Sequence, residues 1–257
     1  MDIKITFLGT GTSQGIPVIN STHPVCLSDD KRDKRLRVSI SIEWDTFVYV
    51  IDCGPDFRYQ MLRENVTKIN GVLFTHEHSD HTAGLDDLRP YSFQLGAVPI
   101  YAHKRVLSNL ESRFNYIFND ENKYPGAPSV QQIEIKNTSF LIENLEVTPI
   151  EVQHGKLTIF GFRFKNIAYL TDVKTISEEE KLKLKNLDVL IINAIRHKPH
   201  RSHLNLDEAL ALVNELKPKK TYLTHISHHL GFHSEVEKSL PKNVYLAYDE
   251  LVIVIKN

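Results

Sequence analysis

Apolar residues along this chain gather mostly in short runs closed by polar or turn-forming residues, the spacing of strands rather than of long helices. Ile3 to Leu8 is one such run, and Val38-Ser39-Ile40-Ser41-Ile42 alternates apolar and polar positions as a half-buried strand does. Phe47 to Ile51 is mostly apolar and stops at Asp52-Cys53-Gly54-Pro55, while Val72-Leu73-Phe74 leads directly into a run of histidines. Helical spacing follows over Asp56 to Arg63 and again from Thr82 to Leu88. The second half repeats the plan, with strands at Ile133–Ile135, Leu145–Val152, Thr158–Phe164, Ile167–Leu170, Val189–Ile192 and Thr221–Leu223. Helix starts are marked by Ser177 with Glu180, Asn205 with Glu208, and Ser234 with Glu237, because the first side chain of each pair can accept a free amide of the first turn. Leu206, Ala209, Leu210, Val213 and Leu216 share one helical face, which predicts a helix packed on a sheet. Arg113 to Ser129 is rich in aromatics and closes on Pro125-Gly126-Ala127-Pro128. It reads as a buried surface loop, with a lid or a dimer contact as the alternatives.

No Pro/Gly/Ser-rich linker divides the chain and no short repeat is visible, so residues 1–257 read as a single domain of the α/β class, two stacked sheets with helices outside. A chain of this length buries a core large enough to hold a site rigidly without disulfides. Cys26 and Cys53 are the two cysteines, and charges at Asp2 and Lys4 interrupt any leader-like start, so a reducing, cytoplasmic location is expected. No apolar run reaches the ~18–20 residues of a membrane span. The net charge of −1 carries no dominant basic stripe, which argues against nucleic acid as the partner. The local basic run Lys31 to Arg37 reads as a solvated loop. Thirteen histidines, many in tight groups, are the unusual feature.

Within six residues the segment after Val72–Phe74 presents His76, His78, Asp80 and His81. Side chains two apart in an extended segment point the same way, so His76 and His78 can grip one ion. A turn brings Asp80 and His81 back for a second. Imidazole and carboxylate are ligands that zinc and manganese accept. Four ligands do not satisfy two ions, and His154, Asp172 and His225 each stand where an otherwise apolar strand stops. They are the natural source of the missing donors.

These features resemble the metallo-β-lactamase superfamily over nearly the whole chain: the histidine run, Asp52-Cys53-Gly54, His154-Gly155, Thr171-Asp172 and Leu223-Thr224-His225. The resemblance implies an αββα sandwich of two mixed sheets holding two divalent metal ions. It assigns His76, His78 and His154 to the first ion, Asp80, His81 and His225 to the second, and Asp172 to the bridge between them. Asp52 then looks like a buried support for the histidine turn. A bridging aspartate points to phosphodiesterases and related hydrolases.

Two further stretches narrow the subgroup. Gly9-Thr10-Gly11-Thr12-Ser13-Gln14-Gly15-Ile16-Pro17 follows the first strand, but Ile16-Pro17 stands where a nucleotide-binding helix should begin. This run, and Pro199-His200-Arg201-Ser202-His203-Leu204, are similar to the phosphoribosyl cyclic phosphodiesterases and to the tRNA 3′-processing endonucleases. In both groups the position of His203 is an additional active-site histidine, suited to protonate a leaving oxygen. Leu223-Thr224-His225-Ile226-Ser227-His228 favours the phosphodiesterases. Those enzymes carry a separate structural zinc, whose positions here are Ser21, His23, Cys26 and His228. His23, Cys26 and His228 are therefore candidates for a third metal.

The expected activity is metal-assisted hydrolysis of a small cyclic or nucleotide-like phosphodiester, with Asp80 and Asp172 at the metals, His203 as general acid, and Arg196, Lys198 or Arg201 available for a phosphate. The alternatives are a tRNA 3′-processing endonuclease, a thioester or lactone hydrolase of the same fold, and a non-catalytic binding protein. The endonuclease is disfavoured by the absence of a long basic arm. A homodimer is the common case among soluble oligomers.

Overall fold

The computed structural model describes residues 1–119 and 124–256. They form two compact units, one drawn from Met1–Gly9, Arg37–Ile135 and Glu250–Asn257, the other from Thr10–Leu36 and Lys136–Asp249. The strands of the first are β1 (Ile3–Gly9), β2 (Ser39–Trp44), β3 (Phe47–Ile51), β4 (Gly71–Leu73), β5 (Val98–Ala102), β6 (Val130–Glu134) and, from the chain's end, β15 (Val252–Ile255). The second holds β7 (Phe140–Ile142), β8 (Leu145–His154), β9 (Leu157–Phe164), β10 (Ile167–Leu170), β11 (Thr175–Ile176), β12 (Val189–Asn193), β13 (Lys220–Thr224) and β14 (Val244–Leu246). Helices in chain order are α1 (Pro24–Leu27), α2 (Phe57–Arg63), α3 (Ser79–Thr82), α4 (Arg89–Leu95), α5 (Lys104–Arg113), α6 (Asn115–Phe118), α7 (Glu178–Leu182), α8 (Leu206–Leu216) and α9 (His233–Ser239). Among the described residues no helix is long and apolar enough to cross a membrane.

Both sheets are mixed. The first runs β15-β1-β2-β3-β4-β5-β6, antiparallel as far as β3 and parallel from β3 to β6. In the second, β11-β8-β9-β10 is antiparallel, β10-β12-β13-β14 is parallel, and β7 pairs β8. Parallel strands need crossovers, and the helices supply them. Val72, Phe74 and Ile100 of the first sheet pack with Phe57, Leu88 and Leu110. In the second, Leu206 and Ala209 of α8 are buried with Leu190, Ile192 and Leu223, and Leu210, Val213 and Leu216 pack on that cluster. Each fully buried leucine contributes roughly 1.5–3 kcal/mol.

The structure corrects several local expectations. Ser39 and Ser41 are buried, so β2 is covered on both faces and not half-exposed. The Ser39 hydroxyl donates to the carbonyls of Ile51 (3.1 Å) and Asp52 (2.8 Å), which makes the burial tolerable. The helix expected over Thr82–Leu88 is broken into α3 and a 3-10 turn at Leu85–Leu88. The break falls at Gly84, whose amide bonds the Cys53 carbonyl at 2.9 Å and where a Cβ would overlap the Gly54 carbonyl. Ser234 is not a cap: α9 begins at His233 with Phe232 at its N-cap, and Glu237 turns its carboxylate to the Leu246 amide (2.7 Å). Arg113–Ser129 is not all loop, since Asn115–Phe118 is helical and Tyr116 donates to Asp86 at 2.8 Å; residues 120–123 of this stretch lie outside the described residues.

The basic run Lys31–Arg37 is also not a solvated loop. Arg35 is buried and donates to the Ala247 carbonyl (2.5 Å) and the Thr10 hydroxyl (2.8 Å). Its Nη2 lies 3.1 Å from His233 Nδ1, and since a guanidinium only donates, His233 accepts as a neutral ring. Burial, and then Arg35 and Arg32, push His233 down to about 4 from the ordinary 6.5, although Asp30 and Asp33 pull the other way. Below pH 6.5 the unfolded chain therefore binds a proton that the folded chain refuses. The contribution is complete above pH 6.5 and is lost as pH falls towards about 4. We expect the urea midpoint of the protein to drop across that window, and His233→Gln, which keeps an acceptor without a titrating ring, to flatten the drop. Superimposable pH profiles for the two proteins would dismiss this account.

Candidate metal centre

Ligand-type side chains are assembled at strand ends in both units, and for His76, His81 and His154 the protein settles which ring nitrogen faces outward. In the first unit Asp52 follows β3 at a positive φ of 64° and is fully buried. Its Oδ1 accepts the Thr75 amide (2.8 Å), and its Oδ2 accepts the Thr75 hydroxyl (2.8 Å) and His81 Nδ1 (2.7 Å). Burial pushes the Asp52 carboxyl above its usual range. Yet all three neighbours point hydrogens at it, and that arrangement fits only the carboxylate. His81 therefore carries its proton on Nδ1 and keeps a lone pair on Nε2. The Thr75 hydroxyl proton is spent on Asp52, so its oxygen accepts from His76 Nδ1 at 3.0 Å, and His76 likewise presents Nε2.

The side chains of the histidine run lie close together. His76 Nε2 lies 3.0 Å from His78 Nδ1, and the rings of His76 and His81 are 4.1 Å apart at their centres. Asp80 Oδ2 is 3.3 Å from His81 Nε2. The short α3 produces this return. It is held from behind by the Cys53 amide on the His81 carbonyl (2.9 Å) and by Gly54, where a Cβ would overlap the Asp80 carbonyl. Helix α5 adds two arginines: Arg105 clasps the Glu77 carboxylate (2.9 and 3.1 Å), and Arg113 bonds the Glu77 carbonyl (2.9 Å) and the Thr82 hydroxyl (2.8 Å).

In the second unit His154 ends β8 and donates Nδ1–H to the Ser202 carbonyl at 2.8 Å, which again leaves Nε2 as the lone pair. Asp172 follows β10 at φ 59° and is buried, with the Thr171 hydroxyl on its Oδ1 at 2.6 Å. Its Oδ1 lies 3.3 Å from His225 Nδ1, while its Oδ2 lies 3.2 Å from His203 Nε2 and 3.9 Å from His154 Nε2. His225 follows β13, also at positive φ (55°). Ligand atoms of His154, Asp172 and His203 all lie within 4.8 Å of one another, so this unit gathers a set able to touch a cation.

The loop that carries His203 is pinned at its base. Leu204 donates to the Val173 carbonyl (2.7 Å), and Ile195 donates to the Leu204 carbonyl (3.0 Å). Arg196 is bound to the carbonyls of Lys198 (3.1 Å) and Pro199 (2.7 Å), so its guanidinium braces its own loop; Lys198 and Arg201 are exposed. The glycine-rich run near the N-terminus serves the same end. Gly11 bridges Ile226, and Ile226 donates to the Thr10 carbonyl (2.9 Å), which fixes the chain just beyond His225. Of the candidates for a third metal, His23 and His228 meet ring to ring at 4.9 Å, with His229 at 5.6 Å from His23. Cys26 is buried with Ile16 and Val25, its sulfur accepting the Val18 amide at 3.5 Å.

Three contributors escaped the sequence reading. Thr75 relays Asp52 to His76. Asn193, fully buried, accepts the Val173 amide (2.7 Å) and donates to the Val173 carbonyl (3.1 Å), which locks the turn after Asp172. His200 stands 3.1 Å from His203. Thr75 and Asn193 carry no motif or period, the place of Asn193 at the end of an apolar strand being their one signal, while His200 lies within the Pro199–Leu204 run but was given no role of its own.

Residues 48–226 match the β-lactamase superfamily domain. A protein of Porphyromonas gingivalis named octanoyltransferase is 38% identical over 256 residues, which is 98% of this chain and 52% of that protein. A ribonuclease Z of Methanococcus maripaludis is 29% identical over 172 residues, 64% of this chain and 49% of its own length. The chain thus spans about half the length of these curated relatives. A crystal structure described as a new diphosphatase from the PhnP family superimposes with a TM-score of 0.93 at 39% identity, covering 99% of this chain and 98% of the other. With its two mixed sheets, its strand-end histidines and aspartates and these matches along most of its length, the chain belongs to the metallo-β-lactamase superfamily.

Proposed function

We propose that this chain is a dinuclear metal-dependent hydrolase of a small cyclic or nucleotide-like phosphodiester, built as one catalytic domain. In this reading His76, His78 and His154 hold one divalent ion, Asp80, His81 and His225 hold the other, and Asp172 bridges them. The observation that carries it is the position of Asp172, whose Oδ1 faces His225 while its Oδ2 faces His154 and His203. A carboxylate with its oxygens turned to different histidines suits a ligand shared by two ions. The donor chemistry fits as well: His76, His81 and His154 each spend Nδ1–H on a protein acceptor and present Nε2 outward.

Two divalent ions held by these residues, zinc or manganese, would supply Lewis acidity toward the attacking water and the phosphoryl oxygens. The chain's own groups do the rest. Asp52, Thr75 and the Ser202 carbonyl keep the imidazoles in one tautomer and orientation. His203 Nε2, within hydrogen-bond range of Asp172, gives its proton to the departing alkoxide. The likeness to a diphosphatase at 39% identity over nearly the full length supports chemistry at a phosphoryl group.

A second reading has its own observation. The Porphyromonas protein named octanoyltransferase is matched along 98% of this chain, which favours an acyl thioester as the alternative substrate. Metal ligands do not report the substrate, so assays separate the two. We expect zinc- or manganese-loaded protein to hydrolyse bis-p-nitrophenyl phosphate and a 2′,3′-cyclic nucleotide, and Asp80→Ala to abolish both. His203→Ala should keep both ions while losing about 10²–10⁴-fold on the cyclic nucleotide, whose alkoxide needs a proton. Two bound ions with octanoyl-CoA turned over and no diester cleaved would select the acyl reading; cleavage of precursor tRNA would select the endonuclease. Metal counting on His228→Ala tests the third position, since loss of one ion in three is expected if His23, Cys26 and His228 hold it.

Asp52 offers a test that does not depend on the substrate. Asp52→Asn keeps the size of the side chain but cannot accept from all three donors. Zinc affinity, measured by chelator competition, should fall about 10- to 100-fold while the fold persists. An unchanged affinity would show that the histidine turn holds its geometry without the carboxylate.

A further inference from the structure

His203 has two ring nitrogens and the proposed chemistry uses one of them, so something must hold the other. Its Nδ1 lies 3.1 Å from His200 Nδ1 and 3.1 Å from the Ser202 hydroxyl. Two imidazole nitrogens facing one another at that distance make a bond only if one is protonated and the other is not. The backbone decides which. The Ser202 amide donates to His200 Nδ1 at 3.3 Å, and an amide cannot accept, so His200 Nδ1 is a lone pair. The proton in the histidine pair therefore belongs to His203 Nδ1, and as a general acid the ring must carry a second proton on Nε2, the nitrogen 3.2 Å from Asp172 Oδ2.

We propose that His200 is a positioning residue for His203: its Nδ1, fixed as an acceptor by the Ser202 amide, holds the His203 Nδ1–H and so aims the Nε2–H of the protonated ring at the reacting group. The inference rests on the reading of His203 as the general acid. His200 is itself held in place, because the carbonyls flanking it at Lys198 and Pro199 are tied to Arg196, and the His197 carbonyl accepts from Asn205 at 2.9 Å. The charged or ionisable groups around His200 are Arg196, Lys174, His154 and His203, the His203 ring centre lying 4.8 Å from its own. Oriented in this way, the pair works as a donor and its bracket, with the bracket outside the ligand set.

The test uses zinc-loaded protein, with zinc content and circular dichroism recorded for each variant. His200→Leu removes the acceptor, whereas His200→Asn offers its amide oxygen near the position of Nδ1. On 2′,3′-cyclic AMP, kcat should fall roughly 10- to 100-fold in His200→Leu, a part of the ~10²–10⁴ attributed to a general acid. The fall on bis-p-nitrophenyl phosphate, whose leaving group needs no proton, should be at least about tenfold smaller. His200→Asn should recover most of the loss. A merely structural role would instead lower both substrates alike and gain nothing from asparagine.

Long-range proton–nitrogen NMR spectra of the same proteins read the tautomer without any turnover. His203 should show a protonated Nδ1 in the unsubstituted protein and in His200→Asn, and should lose that signature in His200→Leu. An unaltered Nδ1–H signal in His200→Leu, or its loss in Ser202→Ala with His200→Leu unaffected, would overturn the assignment in favour of the serine hydroxyl. If neither diester is cleaved by any of these proteins, the phosphodiesterase reading fails, and the spectra alone decide the bond between the two rings.

Discussion

A carboxylate held away from water is tolerable only where donors surround it, and the histidine turn is arranged so that Asp52 has them. Its two oxygens accept the Thr75 amide, the Thr75 hydroxyl and the His81 ring. Leaving any one of these buried groups without its bond costs on the order of 1–3 kcal/mol. The bonds therefore fasten the end of β3 to the chain leaving β4 and to the last turn of α3. Ser39 extends the arrangement by donating to the Ile51 and Asp52 carbonyls, so that β2 is part of it as well. Hydrogen-bond direction then passes outward. The carboxylate accepts, so His81 donates from Nδ1. The threonine proton is used, so His76 donates from Nδ1. Two imidazoles present the same nitrogen because one acid sits behind both.

Strain is placed where that organisation can hold it. Asp52, Asp172 and His225 all adopt left-handed backbone conformations directly after strands. For residues with a Cβ this costs roughly 1–2 kcal/mol each. Each is answered by buried bonds next to it. Asp52 has its three donors. Asn193 grips both the amide and the carbonyl of Val173, the residue after Asp172. Ile226, the residue after His225, is bridged to Gly11 and bonded to the Thr10 carbonyl. The left-handed turn swings the side chain off the line of the strand, and the neighbouring bonds keep it there.

How much of this could be read in advance depended on whether a residue announces itself by its neighbours in sequence. Strands β3 and β10 fall where runs of β-branched and apolar residues predict them, and Asn205 forms its capping box with Glu208. Strand β5 was invisible because Pro99 stands inside it, and a proline argues against a paired strand. Ser234 looked like a cap because the pattern of serine followed by glutamate is short and recurs by chance; Phe232 caps α9 two residues earlier and Glu237 bonds the Leu246 amide instead. Of the candidate ligands, His76, His78, Asp80 and His81 stand out by spacing, and His154, Asp172 and His225 by their places at the ends of apolar strands. Thr75 and Asn193 do not stand out, since a hydroxyl or an amide has no signature until its partner is known, and His200, though inside the Pro199–Leu204 run, shows its partner only in the fold.

The loop from Arg196 to Leu204 shows why those unannounced residues matter. Ser202 serves two histidines with opposite polarity: its carbonyl accepts from His154 and its amide donates to His200. His200 passes the second of these to His203. His154 and His203 are thus oriented from one peptide neighbourhood, itself braced by Arg196 on the carbonyls of Lys198 and Pro199. A displacement of this loop reaches both rings together, so substitutions in it will not add independently. In the proposed chemistry this loop couples the two roles assigned to His154 and His203, because in both rings Nδ1 is already committed to the protein.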